Sequence, residues 1–200
     1  MTPKEQLINL AFKYHSQGKI LEATKEYQSF IDKGWKDARV FTNYALLLNY
    51  LGKSKEAEIL GRKSIELKPD SPKAYCNLGV ILKDIGKLKE AEESQRKAIK
   101  LQKNFAEAYC NLGIILKEKG NLEEAEIYTR RAIKERSNFP EAYSNLSNIM
   151  RVLGNLIEAE ICIRKAIELK PNFYEADSNL GNILSHVGKY KEAEKVTRKA

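Results

Sequence analysis

Ala74-Tyr75-Cys76-Asn77-Leu78-Gly79 returns 34 residues later as Ala108-Tyr109-Cys110-Asn111-Leu112-Gly113, and once more as Ala142-Tyr143-Ser144-Asn145-Leu146-Ser147. Self-similarity at a fixed period of this size is the mark of a repeat architecture. Extending the register both ways divides the chain into six units, 4–37, 38–71, 72–105, 106–139, 140–173 and 174–200, with no insertion between any two. The last stops seven residues short of a full period. Residues 1–200 thus read as a single domain built from one repeated element.

Each unit reads as two helices. In the third, Tyr75, Leu78, Gly79 and Leu82 fall at i, i+3, i+4 and i+7, which places them on one helical face. Gly86 ends that helix, because glycine accepts the left-handed conformation common at helix termini. The second helix turns Leu88, Ala91, Ala98 and Ile99 inward. A helix of about 14 residues is roughly 20 Å long and cannot bury its apolar face within one unit, so stability must come from stacked neighbours. The predicted fold is therefore all-α: a solenoid of six stacked 34-residue helix-turn-helix units, the last truncated.

Numbering from the start of each unit, position 15 is always glycine: Gly18, Gly52, Gly86, Gly120, Gly154 and Gly188. Position 8 holds only Ala, Gly or Ser (Ala11, Ala45, Gly79, Gly113, Ser147, Gly181), and position 20 only Ala, from Ala23 to Ala193. These small side chains let paired helices approach closely. Position 19 is always Glu (Glu22, Glu56, Glu90, Glu124, Glu158, Glu192), in the first turn of each second helix, where a carboxylate meets the positive end of the helix dipole. Thr2-Pro3-Lys4-Glu5 predicts a capping box with proline in the first turn.

On these residues nearly the whole chain, Lys4–Ala200, resembles the tetratricopeptide repeat (TPR) family. The resemblance implies a right-handed superhelix, with first helices lining a concave groove and second helices outside. Departures are local. The family's boundary proline is present as Pro69 and Pro171 and replaced by Trp35, Lys103 and Ser137. Gly61 stands where the family usually has a large side chain, which predicts a locally weak second unit.

Asparagine recurs at position 6 of every unit: Asn9, Asn43, Asn77, Asn111, Asn145 and Asn179. It is a mediocre helix former, so its placement in six helices invites an explanation. A carboxamide both donates and accepts, and a row of them could hold an extended peptide by its backbone. The alternative is that the amides bond within the array and tie neighbouring units together. The row resembles the asparagine ladder in the repeat arm of O-linked N-acetylglucosamine transferase, which implies polypeptide binding. It does not resemble the family's chaperone-tail clamp, which would need lysine at position 5 and a basic residue at position 6. Around the row, position 9 runs Phe12, Leu46, Val80, Ile114, Asn148, Asn182, and position 12 includes Lys83, Lys117 and Arg151. The expected groove is apolar toward the N-terminus and more polar toward the C-terminus, with basic rims favouring acidic segments.

Composition bounds the remaining functions. Lys and Arg number 35 against 27 Asp and Glu, a formal charge of +8. Much of the excess is a column of basic pairs on the second helices (Arg62-Lys63, Arg96-Lys97, Arg130-Arg131, Arg164-Lys165, Arg198-Lys199), each preceded by four residues by Glu58, Glu92, Glu126, Glu160 or Glu194. Such i, i+4 pairing favours solvated helix surfaces over a phosphate stripe, leaving nucleic-acid binding a minor alternative. The longest apolar run, Tyr44–Leu48, is far too short to cross a membrane. Cys76, Cys110 and Cys162 form no closed disulfide framework or metal motif, and reduced thiols fit a cytoplasmic protein. Cys162 reads as a small apolar filler, Trp35 as packing in the first joint, and His15 and His186 as ordinary surface or groove residues. No cofactor motif and no nucleophile–base pair is discernible. The sequence therefore predicts a non-catalytic scaffold that binds protein or extended peptide. An alternative is the N-terminal substrate-recruiting arm of a larger glycosyltransferase-like or other group-transfer enzyme, because Leu180, Leu184 and Tyr190 have no evident polar cap beyond them. Self-association through that end is a third.

Overall fold

The structure, a computed structural model, describes residues 1–198; Lys199 and Ala200, and with them the end of the basic column, lie outside the described residues. Cα packing divides the chain into two compact bodies that meet in sequence between Leu101 and Gln102. The first contains α1 (Pro3–Ser16), α2 (Ile20–Asp32), α3 (Ala38–Tyr50), α4 (Ser54–Leu67), α5 (Pro72–Asp84) and α6 (Leu88–Leu101). The second contains α7 (Ala106–Glu118), α8 (Leu122–Glu135), α9 (Pro140–Val152), α10 (Leu156–Leu169), α11 (Tyr174–His186) and α12 (Tyr190–Thr197). Each body is three antiparallel hairpins in a stack, and among the described residues there is no strand. The all-α helix-turn-helix expectation holds unit by unit.

The position-15 glycines turn every hairpin. All six adopt φ between 68° and 82°, a region in which a Cβ is strained. Positions 8 and 20 meet as the sequence predicts: a Cβ on Gly113 would come within 3.1 Å of the Ala125 carbonyl oxygen and overlap the Thr129 hydroxyl. Where serine occupies position 8, its hydroxyl is accommodated by a bond, Ser147 Oγ donating to the Ala159 carbonyl at 2.7 Å.

Gly61 does not interrupt α4, which runs unbroken from Ser54 to Leu67. Its bare Cα receives Leu78 of the next hairpin, whose Cδ1 would lie 3.1 Å from a Cβ there. The missing side chain is thus filled from the neighbouring unit. At the chain start, Thr2 Oγ1 accepts from the Glu5 N–H at 3.3 Å. The reciprocal half of the predicted box is not made, and the Glu5 carboxylate faces Arg39 instead. Leu180 and Leu184 are buried in the body of α11, so only Tyr190 of the three residues proposed as uncapped is exposed.

In each body the first helices converge. Helix α3 packs on α5, α7 on α9, and α9 on α11, whereas the backbones of successive second helices stay farther apart. Spacing is therefore tighter on the first-helix side, and that side is the inner face of each stack.

Candidate functional site

Positions 6, 9 and 12 lie along one stripe of each first helix and stay at least partly exposed on the inner face. From the second unit onward, positions 7, 10 and 11 go to the core. In the first body the stripe carries Asn9, Asn43 and Asn77, then Phe12, Leu46 and Val80, then His15, Asn49 and Lys83. Asn9 is exposed and its Nδ2 donates to Met1 Sδ at 3.3 Å. Asn43 is half-buried. Asn77 Nδ2 is buried with no hydrogen-bond partner. Asn49 Nδ2 donates to Asp84 Oδ2 at 2.6 Å, leaving Asn49 Oδ1 buried and unpartnered.

The predicted basic rim is neutralised at Lys83, whose Nζ lies 2.6 Å from Asp84 Oδ1. His15 lies on the inner-face stripe, half-buried. Its Nδ1 lies 2.9 Å from the hydroxyl of the buried Tyr27, and the rings meet edge to face. Burial holds the imidazole pKa below its usual value, and the charge of Lys73 adds to the effect. Tyr27 in turn stacks on Tyr44, so this end of the stripe is an aromatic cluster.

In the second body the stripe carries Asn111, Asn145 and Asn179, then Ile114, Asn148 and Asn182, then Lys117, Arg151 and Ser185. Position 9 is apolar through Ile114 and becomes an amide at Asn148 and Asn182, whereas position 12 is polar in both bodies. Asn145 behaves as the within-array alternative requires: its Nδ2 donates to Cys110 Sγ at 3.1 Å, bridging α7 and α9. Burial pushes the Cys110 thiol up to about 11 despite that donated bond. Asn111 and Asn179 are half-buried. All three cysteines are buried free thiols, and Cys162 packs as the expected filler.

The outer helices explain the basic column. Arg62 bonds Glu58 on its own helix and Glu90 on the next hairpin. Arg130 does the same with Glu126 and Glu158, and Arg164 with Glu160 and Glu192. Three of the position-19 glutamates assigned to the helix dipole, Glu90, Glu158 and Glu192, therefore also bind the preceding unit's arginine, a role the sequence reading missed. Lys87 and Lys189 add bonds to Glu58 and Glu160, whose carboxyl pKa values fall below the usual range chiefly for that reason. Doubly bound guanidinium groups offer phosphate little. Trp35 packs edge to face on Phe30 in the first joint, as expected.

No helix among the described residues is long and apolar enough to cross a membrane. Among the same residues no group of three or more His, Cys, Asp or Glu side chains could hold a metal ion. Family models described as tetratricopeptide repeat match residues 72–105, 95–127 and 140–173, in both bodies. The hairpins at 72–105 and 140–173 thus match tetratricopeptide repeats in sequence, and all six share that helix-turn-helix plan. A solved structure of MamA is 27% identical, with a TM-score of 0.65 over 76% of this chain and 89% of that one. A thermophilic TPR protein of Thermus thermophilus matches at 19% identity and a TM-score of 0.77, covering 90% of this chain and 98% of that one. YrrB, described as a TPR protein with an unusual peptide-binding site, matches at 23% identity and a TM-score of 0.60, covering 85% and 88%. The last two likenesses concern fold alone. No curated protein sequence matches the chain.

Proposed function

We propose that this TPR chain is a non-catalytic scaffold whose inner faces hold an extended polypeptide by its backbone, using the position-6 amides. One observation carries the reading: Asn43 and Asn179 are half-buried on the inner face with no hydrogen bond to any described residue, and the buried Asn77 Nδ2 is likewise unspent. The buried Asn77 Nδ2 is costly to leave unbonded, and the half-buried Asn43 and Asn179 amides keep donors and acceptors free for a ligand. Asn145 serves a second purpose, joining α7 to α9 through Cys110, so the row combines ligand rungs with ties between units.

Each amide–backbone bond nets only about 0.5–1.5 kcal/mol, so useful affinity needs several rungs together. The test compares binding of one fluorescein-labelled unstructured peptide to the full chain and to two double variants, Asn43→Ala with Asn77→Ala, and Asn145→Ala with Asn179→Ala. A loss of about tenfold with unchanged helicity is expected in the double variant of the body that holds the peptide. Equal affinity in all three proteins would reject capture by the amides.

A further inference from the structure

On that reading of the inner faces, we propose that the second body is selective for acidic segments and takes two carboxylates three residues apart, one at Lys117 and one at Arg151. The proposal starts from an imbalance of charge. Arg39, Arg62, Arg96, Arg130, Arg131, Arg136, Arg164 and Arg198 each lie within ion-pair distance of a carboxylate. Arg151 is the one arginine among the described residues that does not. Lys117, the same position one unit earlier, is half-buried and also has no carboxylate within that distance among the described residues. Both sit in the last turn of a first helix, where the dipole favours a cation, but a dipole does not use up the donors of a guanidinium.

Asn145, Asn148 and Asn182 share the stripe with them, and the adjoining Glu118 is exposed and forms no ion pair with a described residue. At the matching positions of the first body the opposite holds: Lys83 is neutralised by Asp84, Asn49 is bound to that same Asp84, and His15 faces the Tyr27 hydroxyl. Selectivity for negative charge therefore belongs to the second body and not to the first.

The spacing follows from helix packing. Adjacent first helices lie about 8–10 Å apart, so Lys117 and Arg151 are separated by about one such step. An extended segment of polyproline-II form advances about 9 Å every three residues and returns the same side of its backbone at each turn. Acidic residues at i and i+3 then present one carboxylate to each cation while the backbone between them passes the amides.

The test uses the full chain and three labelled peptides of one Gly/Ser/Pro sequence, bearing a pair of Glu, Gln or Lys three residues apart. The Glu peptide is expected to bind about fivefold tighter than the Gln peptide at low salt, with the advantage fading near 0.5 M salt. Lys117→Gln with Arg151→Gln is expected to abolish that advantage while leaving the Gln peptide's affinity unchanged. Moving the two Glu to five residues apart is expected to reduce it. Equal binding of Glu and Gln peptides would overturn the charge selectivity while leaving backbone capture standing; no binding of any peptide would overturn both. Displacement of the Glu peptide by an equal concentration of a thymidine oligonucleotide would overturn it in favour of nucleic acid.

Discussion

The two bodies are built from the same 34-residue plan, yet they start their first helices differently. In the first body a polar side chain caps the helix: Thr2 to the Glu5 N–H, Asp37 to the Arg39 N–H at 2.8 Å, Ser71 to the Ala74 N–H at 3.3 Å. In the second body the same position holds Phe105, Phe139 and Phe173, none of which makes a side-chain cap bond. At the last two of these a cation covers the ring. The Arg136 guanidinium lies 3.7 Å from the Phe139 ring centroid and pairs with Glu107, while Lys170 lies 4.4 Å from Phe173 and pairs with Glu141. Only the first body caps these helices with side-chain hydrogen bonds; at Phe139 and Phe173 the second places a cation over the ring and pairs it across two units. The lesson is that one boundary position can serve a polar cap in one body and an apolar, cation-covered contact in the other.

The contrast can be broken most sharply at Phe139, which is 8% exposed. Phe139→Ala is expected to destabilise the second body by about 3–5 kcal/mol, since it removes both buried area and the stacking surface of Arg136. Hydrogen exchange resolved by peptide should accelerate in α8 and α9 and stay unchanged in α1–α4. The small-residue contacts give the next effect. Gly113→Ala forces a Cβ against stiff Thr129 and the Ala125 carbonyl, and a loss of about 1–3 kcal/mol is expected in thermal unfolding. Gly61→Ala meets only the flexible end of Leu78, so helix propensity is expected to win by up to about 1 kcal/mol. Destabilisation by Gly61→Ala would show that the Leu78 contact is rigid.

Smaller again, Asp37→Ala or Ser71→Ala is expected to cost about 1 kcal/mol, confined by hydrogen exchange to the first body. The smallest effect belongs to His15. Its folded pKa lies below the value near 6.5 that it regains on unfolding, so protonation favours the unfolded chain. Stability is full above about pH 6.5 and declines as pH falls from there toward the folded pKa. His15→Gln should lessen the drop in Tm between pH 7 and pH 5.5, and an unchanged drop would place the acid sensitivity elsewhere.

The fold was legible because its signals are local and repeated. A glycine at every position 15, small residues at 8 and an alanine at 20 each state a backbone or contact requirement within one hairpin. The site was legible only in outline. Whether Asn145 faces a ligand or Cys110 depends on two residues 35 positions apart, and no pattern within a unit distinguishes Asn145 from Asn43. Neutralisation of Lys83 was within reach, because Asp84 is its neighbour in sequence. The bonds from Arg62 to Glu90, Arg130 to Glu158 and Arg164 to Glu192 had a visible trace too, a constant offset of 28 residues, but its meaning needs the stacking of hairpins.

That constant offset has an evolutionary consequence. Because each arginine finds half its carboxylates in the following hairpin, a duplication or deletion of one whole period within either stack regenerates the same partnership at the new junction. A change of any other length would strand a guanidinium opposite the wrong turn. The outer face thus acts as a phase lock on copy number, letting such a chain lengthen or shorten by unequal crossing-over only in whole periods.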